Sequence, residues 1–226
     1  MRVNISNNIL KYYLKNVYFI TGTAYAGKST IVKMLAERYH MVWCGENYHS
    51  RISDIVATPE AQPDICFLNS LTDWKAFVCR SPEEYERWVY STAREAAEFE
   101  VAELLSIAGD RKVIVDTNIP PEILREISDW NHVAVMLSPQ SMSVERFFDR
   151  SDPEKQFLLR VIESCEDPDA VMENYRRGLA RINSPEHYAE YANSGFFTIV
   201  RQDSSQDTRE QVCDAVAAHF GLESGR

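Results

Sequence analysis

Five short apolar runs punctuate the chain, at residues 17–20, 41–44, 112–117, 132–137 and 196–200. They are rich in β-branched and aromatic residues and do not alternate with polar ones, the pattern of strands covered on both faces. Between the runs, apolar residues recur at helical spacing. Ile31, Met34, Leu35 and Tyr39 define a helix after the first run. A longer helix opens on Ser81-Pro82, with Glu84 completing a capping box. It keeps its apolar face through Tyr85, Trp88, Ala96 and Leu104 until Gly109 stops it. Glu83/Arg87 and Arg94/Glu98 are spaced for i,i+4 ion pairs on its surface.

Weaker signals fill the rest. Residues 1–16 carry Ile9, Leu10, Tyr13 and Leu14, enough for a short preceding element. A loop punctuated by prolines spans 58–64, and 68–78 reads as one short helix. Pro120-Pro121 opens a helix to about Ser128. After the fourth run, the spacing predicts a helix through Val144, Phe147 and Phe148, placing Arg146 and Arg150 one turn apart on one face. Asp152-Pro153, Asp167-Pro168 and Ser184-Pro185 each read as an N-cap followed by proline, so 152–192 is expected to be helical with breaks. The last helix covers about 207–220, with Val212, Ala215, Val216 and Phe220 facing inward.

Strands alternating with helices imply a three-layer α/β/α fold with a five-stranded parallel sheet, here a single domain over 1–226. Its helical stretch from 46 to 110 is an insertion between the second and third strands. In such sheets ligands gather at the carboxyl ends of the strands.

One stretch at such an end carries specific chemistry. Gly22-Thr23-Ala24-Tyr25-Ala26-Gly27-Lys28-Ser29 fits G-x-x-x-x-G-K-[ST] between a strand and a helix. The glycines permit positive φ and a close main-chain approach to a ligand. The loop amides and the positive end of the next helix then face a phosphate. The nucleotide-binding set is expected to run from Gly22 through Thr30, with Lys28 on the β- and γ-phosphates and Ser29 ligating Mg²⁺.

Other polar residues lie just beyond strands. Asp116 ends the third run and is either a Mg²⁺-water ligand or base beside the loop, or a cap on the following turn. Glu46 follows the second run within Gly45-Glu46-Asn47-Tyr48-His49, where a carboxylate can take a proton from an acceptor hydroxyl. Tyr48 and His49 can each hydrogen-bond or stack on that acceptor, the alternative for His49 being that a lone loop histidine is ordinarily solvated. Arg51 reads as an anion contact or as exposed charge. Arg146, Arg150 and Arg160 suit a lid over about 146–165 that neutralises a transferring group, the alternative being ordinary surface pairing. Gln202-Asp203-Ser204-Ser205 either borders the nucleotide base or connects to the last helix.

Composition narrows the partners. A net charge of −10 argues against nucleic acid, which needs clustered Lys and Arg. The 5 cysteines are scattered without a C-x-x-C pair and read as reduced thiols. With no membrane-length apolar run and no leader-like start, a cytoplasmic protein without membrane partners is expected.

With these pieces in place, the chain resembles the P-loop kinases that include nucleoside monophosphate kinases, deoxynucleoside kinases, and shikimate and gluconate kinases. The resemblance is sharpest at Gly22 to Ser29, and extends to strand order and the arginine-bearing 146–160 segment. It implies ATP with Mg²⁺, a lid, and an acceptor-binding insertion between strands two and three, with Glu46 matching the carboxylate that commonly follows strand two in these enzymes. Val115-Asp116-Thr117-Asn118-Ile119-Pro120 departs from the Asp-Gly-x-Pro of the monophosphate kinases. The expected catalytic set is Lys28, Glu46, Asp116, Arg146 and Arg150, with Ser29 and Asp116 on the metal. The expected activity is phosphoryl transfer from ATP to a small hydroxyl-bearing metabolite, nucleoside or nucleotide. The alternative is a nucleotide-dependent switch acting on a protein partner. The guanine-reading N-K-x-D is missing from the sequence, which counts against a GTPase form of that switch.

Overall fold

The computed structural model describes residues 5–149, 152–202 and 206–223. Five strands, β1 (Val17–Gly22), β2 (Val42–Cys44), β3 (Val113–Asp116), β4 (Val133–Leu137) and β5 (Phe197–Val200), form one parallel sheet in the order β2-β3-β1-β4-β5. The strand carrying the glycine loop is therefore central, with Ile20 opposite Asp116 on one side and Gly22 opposite Met136 on the other.

The three central strands are buried along almost their whole length because helices cover both faces. Tyr18 and Ile20 of β1 pack with α2 (Lys28–Tyr39) and α12 (Arg209–His219), through Ile31, Leu35, Val216 and Phe220. Val17 and Phe19 point the other way, against the end of α6 (Pro82–Ile107) and against α7 (Pro121–Ile127), through Leu104, Leu124 and Ile127. This is a three-layer α/β/α arrangement consistent with P-loop NTPase architecture. The remaining helices are α1 (Asn7–Tyr13), α3 (Ser50–Val56), α4 (Pro63–Asn69), α5 (Trp74–Val78), α8 (Gln140–Glu145), α9 (Pro153–Glu163), α10 (Pro168–Ile182) and α11 (Pro185–Ala192). A separate apolar cluster joins α5, the start of α6, α9 and α10 around Phe77, Tyr85, Phe147, Leu158, Tyr175 and Leu179.

Helix α6 begins as its sequence directs. The Ser81 hydroxyl accepts from the Glu84 amide, and the Glu84 carboxylate accepts from the Ser81 amide at 3.0 Å. Asp152, Asp167 and Ser184 cap α9, α10 and α11 with proline in the first turn of each.

Several expectations are corrected. The segment 68–78 is not one helix, because α4 starts at Pro63 and ends at Asn69, and Asp73 then caps α5. The surface pairs expected along α6 give way to tertiary ones: Glu83 meets Arg181 of α10 at 3.1 Å and Arg94 meets Glu122 of α7 at 3.6 Å. On α12 the buried stripe is Cys213, Val216 and Ala217, while Ala215 is exposed. Of residues 5–16, α1 leaves Ile9 and Tyr13 exposed, Leu10 packs partly buried against the core, and the following Leu14 is buried within it. Among the described residues, no helix is long and apolar enough to cross a membrane.

Candidate active site

The loop from Gly22 to Gly27 takes the shape its glycines allow. Gly22 (φ 131°), Tyr25 (φ 67°) and Gly27 (φ 91°) all adopt positive φ, and Gly27 leads directly into α2. Gly22 lies so close to β4 that a Cβ there would stand 1.9 Å from the Met136 carbonyl oxygen. Tyr25 pays a conformational penalty that glycine avoids. Its position is held from outside by Arg201, the first residue after β5. Arg201 Nη1 donates to the Tyr25 carbonyl at 2.7 Å, and its guanidinium lies 4.9 Å from the ring centre.

Two serines beyond β4 fix the other side of the loop. The Ser138 amide donates to Thr23 Oγ1 at 2.9 Å. The Ser138 and Ser143 hydroxyls converge on the Ala24 carbonyl at 2.8 and 3.0 Å. Sequence reasoning missed Arg201, Ser138 and Ser143, although each sits at or near a strand's carboxyl end, the place where such residues are sought.

Lys28 folds back over the loop, its Nζ donating to the Gly22 and Thr23 carbonyls at 3.4 and 3.2 Å. Ser29 faces the end of β3 and donates from its hydroxyl to Asp116 Oδ2 at 2.5 Å. Asp116 is buried, and its Oδ1 has no hydrogen-bond partner among the described residues. Burial raises its pKa, the nearby Lys28 charge and the Ser29 bond pull it down, and Glu46 pushes it up again. Glu46 itself is exposed, on the turn after β2.

This donor set fits a magnesium ion. A serine hydroxyl and an orphaned carboxylate oxygen lie side by side at the phosphate loop. Mg²⁺ keeps most of its shell as water and phosphate oxygens and needs only one or two protein ligands. The described residues contain no cluster of three or more His, Cys, Asp or Glu side chains able to hold a metal by themselves.

No protein-family model matches the sequence, and a search among curated proteins finds no match. Among solved structures, the chain is similar to a shikimate kinase from Bacteroides thetaiotaomicron. The TM-score is 0.47 and the identity 13%, with 91% of this chain and 98% of that chain covered. It is also similar to an uncharacterized protein from Eubacterium ventriosum, with a TM-score of 0.43, 13% identity, and 92% and 98% of the two chains covered. At that identity the chemistry has to be read from this chain's own residues.

The loop after β2 does not match its expected role. Tyr48 does not reach outward: its hydroxyl is buried beside Glu100 of α6, and burial raises its pKa far above the usual range. His49 is not solvated. Its ring is 13% exposed, with Nδ1 4.0 Å from Glu100 Oε1, and burial lowers its pKa. Arg51 keeps its expected exposure, with 69% of its side chain open to solvent, while pairing with Glu103 of α6 at 2.6 Å.

The arginine segment is also rearranged. Helix α8 stops at Glu145, so Arg146 leaves the helix instead of sharing a face with a residue one turn later. Phe147 and Phe148 turn inward onto Tyr175, with ring centres at 6.2 and 5.7 Å, and this diverts the chain. Arg150 lies outside the described residues, as do Asp203, Ser204 and Ser205. Arg160 is exposed on α9, a helix that packs on α5 and α10.

Proposed function

We propose that the chain transfers a phosphoryl group from Mg·ATP to the hydroxyl of a small-molecule acceptor. The observation that carries this reading is the Ser29–Asp116 contact at 2.5 Å, with an unpartnered buried Asp116 oxygen beside a glycine loop capped by lysine. Lys28 swings from the Gly22 and Thr23 carbonyls onto the β- and γ-phosphates, and the amides from Gly22 to Thr30 hold the phosphate oxygens. Ser29 and Asp116 hold the metal, which when bound neutralises charge on those phosphates. Glu46 orients the acceptor hydroxyl and takes its proton. Arg146 follows Ser143, itself bonded to the loop, by about one turn and is suited to the transferring group. On this reading 46–110 is the acceptor side of a single domain and 146–165 the closing segment.

Two experiments test it. Mg·ATP at about a hundred times its dissociation constant stabilises the fold by about 2.7 kcal/mol, measured as a thermal shift. An acceptor panel of nucleosides, monophosphates, sugars and hydroxy acids, followed by ADP release, then identifies the substrate. Absence of a shift with any nucleoside triphosphate sinks the proposal, and a shift without acceptor-dependent turnover favours a nucleotide switch.

Glu46→Gln separates binding from chemistry. Loss of a general base costs on the order of a hundredfold to ten-thousandfold in turnover, while the Mg·ATP shift stays as in the wild type. Full turnover in that variant removes Glu46 from the mechanism.

A further inference from the structure

Glu100 lies in the second half of α6, about two turns before its end, and is 2% exposed. It sits three residues after Ala97 and four before Leu104, both in the apolar layer against the sheet. A carboxylate there is costly unless hydrogen-bonded, and a well-packed apolar side chain would serve stability at least as well. What distinguishes Glu100 is the company it keeps. From the loop after β3, Thr117 Oγ1 donates to its Oε2 and the Asn118 amide is directed at the carboxylate. From the loop after β2, the buried Tyr48 hydroxyl and His49 ring close over it.

Those two loops are the ones that carry Asp116 and Glu46. Thr117 follows Asp116 directly, and Tyr48 is two residues beyond Glu46. One turn further along α6, Glu103 binds Arg51 at 2.6 Å, an ion pair from the same helix to the β2 side. Burial also pushes the Glu100 carboxyl up to about 7, against the hydrogen bonds that lower it, so its desolvation is only partly offset.

We infer that Glu100 is a positioning residue coupling the loop after β2 to the loop after β3, so that Glu46 and Asp116 are held in fixed relation. The coupling is a property of the fold. Its use in catalysis rests on the function proposed above.

The test uses Glu100→Gln, Thr117→Val and the double variant in the full chain. Backbone hydrogen exchange is read at residues 45–49 and 116–119, beside thermal denaturation. Glutamine keeps the shape, so denaturation moves little, while exchange rises about tenfold in both loops together. Thr117→Val, altered only on the β3 side, loosens 45–49 as well, and this remote effect vanishes when Glu100 is already glutamine. A rise confined to one loop, or spread evenly along α6, overturns the coupling. In turnover assays Glu100→Gln lowers kcat about tenfold with the KM for ATP unchanged, and an unaltered kcat overturns the positioning role. A wild-type protein that turns over no acceptor defeats the proposed function instead, and the exchange result then decides the coupling alone.

Discussion

Gly22→Ala unfolds this protein or comes close to it. The new methyl group would stand 1.9 Å from the Met136 carbonyl oxygen and 2.7 Å from its carbon, both main-chain atoms of β4. Neither can yield without breaking the β1–β4 ladder, in which Gly22 is paired with Met136, and the 3.0 Å bond from the Thr23 amide to the same oxygen. The backbone at φ 131° is itself hostile to a side chain. Overpacking and strain each cost on the order of 1–3 kcal/mol, so the sum is about 4 kcal/mol. For a domain of this size that lowers the Tm by about 10 °C or more. Circular dichroism melts check this, and a Tm within about 2 °C of the wild type would mean that the strand edge gives more easily than the geometry allows.

Lys28→Met should do the opposite: leave the fold intact and remove the function. The lysine spans two carbonyls at the loop mouth, contacts worth little to stability at a half-buried site. Apo melts therefore agree with the wild type to within about 1 kcal/mol. The Mg·ATP thermal shift is largely lost, and turnover with the best acceptor falls about a thousandfold or more, as when an enzyme loses a donor to developing charge. Retention of both would exclude Lys28 from phosphate contact and take the proposed function with it.

The two variants separate what the sequence made readable from what it did not. The strands were legible because both faces of the central sheet are covered, leaving unbroken apolar runs such as Val113–Val115 and Val133–Leu137. The caps of α6, α9, α10 and α11 were legible because they are local chemistry within a few residues. Tertiary choices were not. The helix expected through Phe148 ends at Glu145 because distant Tyr175 draws the phenylalanines inward. Arg94 and Glu83 find partners on other helices, which no i,i+4 rule can foresee.

The candidate site divides in the same way. The glycine loop was plain from its spacing, and the structure brings Ser29 to Asp116 as the spacing alone could not. Glu100 was hidden among Glu95, Glu98 and Glu103, four carboxylates that look equally solvated on paper. Its one signal was its place on the apolar stripe between Ala97 and Leu104. His49 misled for the complementary reason: a loop residue is solvated only until a helix folds over it.

The strand order carries a consequence for the order of synthesis. β1 and β2 leave the ribosome before β3, yet they are not neighbours in the sheet, since β3 lies between them and β4 flanks β1 on its other side. No strand pairing can therefore begin until Val113 and its successors have been made, about half-way through the chain. Until then the nascent chain holds two apolar strands with open edges, the state most exposed to wrong partners. The fold that places the glycine loop at its centre thus leaves that loop's strand waiting for its neighbours.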